Sequence, residues 1–280
     1  MPERVIAGSC ALVTGGARGI GRAIAEALLR EGVKVVVADV DGVAAARCAD
    51  ELAGEGRTVR AMDLDVRDLE SFRSVVARLE AELAPVDILV NNAGIMPLGP
   101  FLEQAPGSDD RQIDVNLRGV IHGLRAVLPG MLRRRRGHVV NVASVAGKVG
   151  VPFAAVYAGT KHAVVGLTEA VRHELRDSGV DLSYVMPAIV DTELTSGTRS
   201  LRYPPRVRPE QVADAVVTTL RTGRVDVFVP EFARLTAILP VLLPRGLVER
   251  VGRWFGIDRV FAEVDGAARE AYTRRVDLLR

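Results

Sequence analysis

The chain has 280 residues, 48% of them hydrophobic, and 37 basic against 35 acidic side chains give a net charge of +2. That length and apolar content suffice for one large α/β domain or two small ones, and the balanced charge makes no case for a nucleic-acid partner. Cys10 and Cys48 are the only cysteines and Cys10 sits in an apolar run, so a reducing compartment is expected rather than a disulfide framework. No cationic leader precedes an apolar stretch, no apolar run reaches about 18 residues, and no Asn-X-Ser/Thr acceptor occurs, which together predict a cytoplasmic protein that does not span a membrane.

In chain order, short β-branched runs alternate with longer helical patterns. Strands are predicted at ALVTG (11–15), KVVVAD (34–39), TVRAM (58–62), DILVNN (87–92), HVVNVAS (138–144), DLSYVM (181–186) and VDVFVP (225–230). Continuous apolar strands of this kind are buried on both faces. Between them, GRAIAEALLREG, SFRSVVARLEAEL and HAVVGLTEAVRHEL repeat apolar residues at three- and four-residue spacing, as helices covering a sheet do. The expected fold is α/β: a Rossmann-like, doubly wound parallel sheet of about seven strands with its ligand crevice at the carboxyl ends. The basic run Arg133 to Arg136 reads as the solvated end of a helix. No metal site is read from the sequence.

The first strand runs directly into TGGARGIG (14–21), which opens a helix. Gly15, Gly19 and Gly21 permit a sharp turn and close backbone approach, and the helix start through Ile20 offers N–H groups to a pyrophosphate. Asp39 closes the second strand, where a carboxylate can accept hydrogen bonds from a ribose and repel a 2′-phosphate, so NAD is favoured over NADP. Arg18 beside the loop is the competing signal for a 2′-phosphate.

YAGTK (157–161) carries one of only three lysines in a chain with 34 arginines. Residues four apart on a helix share a face, so the Lys161 ammonium can lie near the Tyr157 phenol and is expected to lower its pKa, making it a usable acid or base. Ser144, ending the fifth strand, can hydrogen-bond a reacting carbonyl or alcohol oxygen. Pro187 to Pro209 lacks a clear period and reads as a long loop or lid. The tail from 231 to 280 loses strand alternation and reads as two or three helices packed beside the 1–230 catalytic domain. With Trp254, Pro240, Pro244 and scattered arginines, that tail also allows contact with a membrane interface.

TG-x3-G-x-G at 14–21, Asp65-Val66, NNAG at 91–94, Asn116, Ser144 and Tyr157-x3-Lys161 occur in one order and spacing that resembles the classical short-chain dehydrogenase/reductases. The resemblance implies a catalytic set of Asn116, Ser144, Tyr157 and Lys161, with Asn116 holding a water linked to Lys161. It implies that Asp65 and Val66 contact the adenine, that Asn92, Ala93 and Gly94 support the adenosine side, and that Pro187, Val190 and Thr192 face the nicotinamide and phosphates. Pro187 is followed by Ala188 where the family commonly has Gly, so the backbone there must suit an alanine. The implied activity is oxidoreduction between a secondary alcohol and a ketone, on an apolar steroid, retinoid or lipid-like substrate judged from the tail. The resemblance also implies a homodimer or homotetramer. An NADPH-dependent ketone or 3-oxoacyl reductase would use the same residues. A non-catalytic dinucleotide sensor would need the glycine loop but not Ser144, Tyr157 and Lys161 together.

Overall fold

The computed structural model describes residues 3–199, 205–244, 246–247, 250 and 260–277. Seven strands form one parallel sheet: β1 (Cys10–Thr14), β2 (Lys34–Asp39), β3 (Val59–Asp63), β4 (Ile88–Asn91), β5 (Gly137–Val142), β6 (Val180–Pro187) and β7 (Asp226–Val229), in spatial order 3-2-1-4-5-6-7. All seven predicted strands are present, Lys34–Asp39 with the same ends and the others with ends shifted by at most two residues. The chain winds outward from β1 to β3, then returns to place β4 on the other side of β1, and this reversal opens the crevice beyond the carboxyl ends.

Alternation along the strands builds two cores. On one face Ala11, Val13, Val35, Val37 and Val140 pack against Ile24 and Leu28 of α1 (Gly19–Arg30), Cys48 of α2 (Gly42–Leu52) and the helix Pro209–Thr222. On the other, Leu12, Val36, Leu89, Val139 and Leu182 meet Phe72 and Leu79 of α3 (Leu69–Glu82), and beyond it Leu124 and Val164. Each fully buried side chain of this size contributes roughly 1.5–3 kcal/mol. After β4 come α4 (Ser108–Ile113), a π-helical turn at Asp114–Arg118, and α5 (Gly119–Arg134). Next are α6 (Ala155–Glu174), α7 (Pro209–Thr222), α8 (Arg234–Leu242) and α9 (Gly266–Asp277).

Both cysteines are free and buried. The basic run does end a helix, with Arg133, Arg135 and Arg136 exposed and Arg134 half-buried. Arg134 donates to the Val86 carbonyl and pairs with Glu80, while Arg136 pairs with Asp87, because the end of α5 abuts the turn into β4. Among the described residues no helix is long and apolar enough to cross a membrane, and no group of three or more His, Cys, Asp or Glu side chains is arranged to hold a metal.

Candidate active site

The glycine loop lies where β1 hands over to α1. A Cβ on Gly21 would stand 2.1 Å from the Gly15 carbonyl oxygen, so only glycine lets the helix start this close to the strand. The Asn92 amide donates to the carbonyls of Thr14 and Gly15, both at 3.0 Å, and the Thr14 hydroxyl accepts from the N–H groups of Asn92 and Ala93. NNAG thus braces the loop from the neighbouring strand. Helix α1 has no side-chain cap and no acidic residue in its first turn. Its leading amides, with a helix dipole behind them, therefore suit the pyrophosphate of a dinucleotide.

Asp39 ends β2 beside this loop. Its carboxylate accepts from the N–H groups of Ala17 (3.2 Å) and Asp41 (3.1 Å). Burial raises its pKa above the ordinary value, opposed by those two hydrogen bonds and by Arg18. Arg18 itself is engaged: its guanidinium meets Asp41 at 2.6 Å. The Ala44 N–H first, and Arg18 after it, hold Asp41 below the usual carboxylate range.

Asp65 is gripped by Arg67, whose backbone N–H and guanidinium both reach its carboxylate at 2.7–3.0 Å. The acid shapes this corner, and Val66, buried against Gly119, lines it. Asn116 sits in the π-helical turn, a distortion common at functional sites. It is fully buried; its amide oxygen accepts from the Ile95 N–H at 2.8 Å and its nitrogen donates to the Ile95 carbonyl and the Thr160 hydroxyl. A Cβ on Gly94 would lie 3.4 Å from the Asn116 oxygen and 3.8 Å from Lys161 Nζ, which brings these three residues together.

At the far end of the crevice, Ser144 follows β5 and Tyr157 and Lys161 lie in the first two turns of α6. The Ser144 oxygen accepts from the Ala146 N–H at 3.1 Å, and its hydroxyl donates to the Pro187 carbonyl at 3.4 Å, beside the Tyr157 phenol. Lys161 Nζ donates to the Val142 carbonyl at 2.8 Å and lies 5.6 Å from the centre of the Tyr157 ring. The expected lowering of the phenol pKa is not what the geometry gives. Burial pushes Tyr157 up to about 12, with the neighbouring Ser144 hydroxyl opposing, and pulls Lys161 down to about 8. Desolvation penalises the charged form of each, and part of the ammonium's capacity is spent on Val142. The phenol is therefore protonated at neutral pH.

After β6, Ala188 needs no positive φ, and its N–H pairs with the Val229 carbonyl. Val190 is buried and its carbonyl accepts from Thr195, while the Thr192 side chain faces Gly19, with Cγ2 3.4 Å from where a Cβ on that glycine would stand. Thr192 thus closes over the glycine loop. The predicted lid is an ordered segment over 188–199: Val190 bridges Val207, and Arg206 donates to Thr195 and Thr198. Residues 200–204 of that prediction, and Trp254, lie outside the described residues.

Sequence reasoning judged the substrate from the tail but did not single out the tail residues that reach the Tyr157 cluster. Phe261 and Leu194 pack on the cluster that holds Tyr157, and Tyr272 accepts the Met96 N–H at 2.7 Å. Helix α9 is mostly polar, and its buried positions Arg269, Tyr272 and Val276 give no apolar stripe to detect.

Residues 9–202 match the model of the short chain dehydrogenase family. The chain is 32% identical over 262 residues to the ketoacyl reductase HetN of Nostoc sp., covering 90% of this chain and 91% of that protein. It is 37% identical over 224 residues to a sorbitol dehydrogenase of Cereibacter sphaeroides, covering 78% and 86%. A short chain dehydrogenase/reductase from Burkholderia phymatum, solved in complex with NAD, superposes with a TM-score of 0.77 at 28% identity, covering 89% of this chain and 96% of that one. With the glycine loop, Asn116, Ser144, Tyr157 and Lys161 set along one crevice of a seven-stranded parallel sheet, the chain belongs to the short-chain dehydrogenase/reductase family of oxidoreductases.

Proposed function

We propose that this protein interconverts a secondary alcohol and a ketone with NAD, Tyr157 exchanging the proton and Ser144 hydrogen-bonding the reacting oxygen. The observation that carries the reading is the placement of Lys161 Nζ 5.6 Å from the Tyr157 ring, held by the Val142 carbonyl, with Ser144 beside the phenol. A bound nicotinamide would supply the hydride acceptor or donor. Gly15, Gly19, Ile20 and Gly21 would cradle its pyrophosphate, with Thr192 closing from above. Asp65, Val66, Asn92, Ala93 and Gly94 would wall the adenosine side, and Pro187 and Val190 the nicotinamide side. Residues 1–230 form the catalytic domain on this reading and 231–280 a helical extension packed on it, in a homodimer or homotetramer.

The preference for NAD is supported by Asp39 at the end of β2 and by the engagement of Arg18 with Asp41. Equilibrium titration at one salt concentration is expected to show NADH bound at least about tenfold more tightly than NADPH, with Asp39→Asn narrowing that ratio. Tighter binding of NADPH would replace this reading with an NADPH-dependent reductase, and binding of neither would sink the oxidoreductase assignment.

An apolar substrate is supported by the side chains around Tyr157: Met96, Leu98, Val151, Ala154, Leu194 and Phe261. The two relatives are named for a ketoacyl and a polyol substrate, and this lining suits the less polar class. Among the described residues, seven large apolar side chains are exposed from Phe232 to Leu247, including Leu235, Leu239 and Leu242 on α8. No acidic residue occurs between Glu231 and Glu249. That face suits peripheral contact with an anionic bilayer. Flotation is expected to recover the protein with phosphatidylserine-containing vesicles, and Leu235→Glu combined with Leu239→Glu is expected to abolish recovery. Equal recovery of the double variant would remove the membrane reading.

A further inference from the structure

We propose that Arg269 is a positioning residue of the active site, a latch by which α9 fastens together the two loops that flank Tyr157. The proposal rests on the reading of Tyr157 as the proton-exchanging group. It assigns a specific task to a segment beyond the region that matches the family model, which ends at residue 202.

Arg269 is 5% exposed, yet its partners are backbone carbonyls from two separate loops. One guanidinium nitrogen donates to Leu194 at 2.9 Å and Ser196 at 3.1 Å, on the segment after β6, and the other donates to Met96, on the segment after β4. The planar fork lies 4.4 Å from the centre of the Tyr272 ring. The Tyr272 phenol in turn accepts the N–H of that same Met96, so both backbone polar groups of Met96 are held from α9. Burying a guanidinium is costly unless its donors are satisfied, and a rigid five-donor fork meets carbonyls from two directions as an ammonium cannot.

The held loops carry side chains of the Tyr157 cluster: Met96 is in it and Leu194 packs on it. Further contacts fix the same seam. The Asp265 N–H donates to the Gly197 carbonyl at 2.8 Å, and Arg275 pairs with Glu193 at 2.6 Å. Gly197 has φ +70°, and a Cβ there would stand 2.4 Å from the Asp265 carbonyl oxygen, so the loop approaches α9 as closely as a chain can. Cutting the latch would let Met96 and Leu194 move relative to the phenol while leaving the glycine loop, at the other end of the crevice, in place. Substrate placement would then suffer more than cofactor binding.

The test compares Arg269→Lys and Tyr272→Phe with wild type in the full chain. Ketone reduction would be followed with NADH and whichever member of a panel of 2-alkanones and cyclic ketones the wild type reduces, alongside NADH affinity and amide hydrogen exchange. Arg269→Lys is expected to raise KM about tenfold with kcat and NADH affinity each within about threefold of wild type. Exchange should rise at 95–97 and 193–198 and not in the glycine loop. Tyr272→Phe, which loses only the bond to Met96, should show the same pattern at smaller amplitude and carries the test if Arg269→Lys does not fold. A folded Arg269→Lys with unchanged KM and unchanged exchange overturns the latch. If the wild type binds NADH but reduces no ketone, the function proposed above fails, and the exchange pattern alone decides whether the latch exists.

Discussion

Replacing Tyr157 by Phe is expected to lower kcat for ketone reduction by about 10²- to 10⁴-fold, the range for loss of a positioned general acid. The substitution removes one oxygen and keeps the ring, so the packing of Met96, Ala154 and Ala158 around it should survive and NADH should still bind. The pH dependence gives the sign. Burial holds the phenol up to about 12, so the donor is protonated throughout the neutral range and reduction should be flat there. Oxidation needs the phenolate and should rise with pH, by about a decade per unit below the apparent pKa. Stopped-flow rates in both directions check this, and a Tyr157→Phe enzyme with undiminished reduction would remove the tyrosine from the chemistry.

The direction of that phenol shift separates what this sequence discloses from what it withholds. Runs such as KVVVAD and HVVNVAS disclose the sheet because a strand buried on both faces needs nothing but apolar, β-branched residues, a local property. TGGARGIG and the four-residue spacing of Tyr157 and Lys161 are equally local, and the structure places each where a strand-then-helix reading puts it. What is not local was missed. The burial that raises the Tyr157 phenol comes from a cluster contributed by several elements, including Met96 and Leu194. The Arg18 to Asp41 pair forms only because β1 and β2 are neighbours. Arg269 reads as one more solvated arginine on a polar helix, since the carbonyls that hold it lie 73 to 173 residues away.

Lys161→Met should separate stability from activity. Folded Lys161 releases its proton near pH 8 and the unfolded chain near 10.5, so across that window the unfolded state binds more protons and stability rises with pH. Below pH 8 the buried ammonium costs the fold on the order of 3 kcal/mol. Methionine removes that cost with a stem of similar length, but leaves the Val142 carbonyl without its donor, a loss of roughly 1–3 kcal/mol. The variant is therefore expected to be as stable as wild type or more stable by ~1–2 kcal/mol at pH 7, and this advantage should shrink by pH 10. Activity should move the other way, falling at least about a hundredfold, because the variant lacks the ammonium that lies 5.6 Å from the Tyr157 ring and favours its anion. Urea unfolding of both proteins at pH 7 and pH 10, beside single-turnover oxidation rates, measures the two effects independently. A stability difference that is the same at both pH values would show that Lys161 keeps its ordinary pKa in the fold, and the cationic partner of Tyr157 would then be fully charged across the working range.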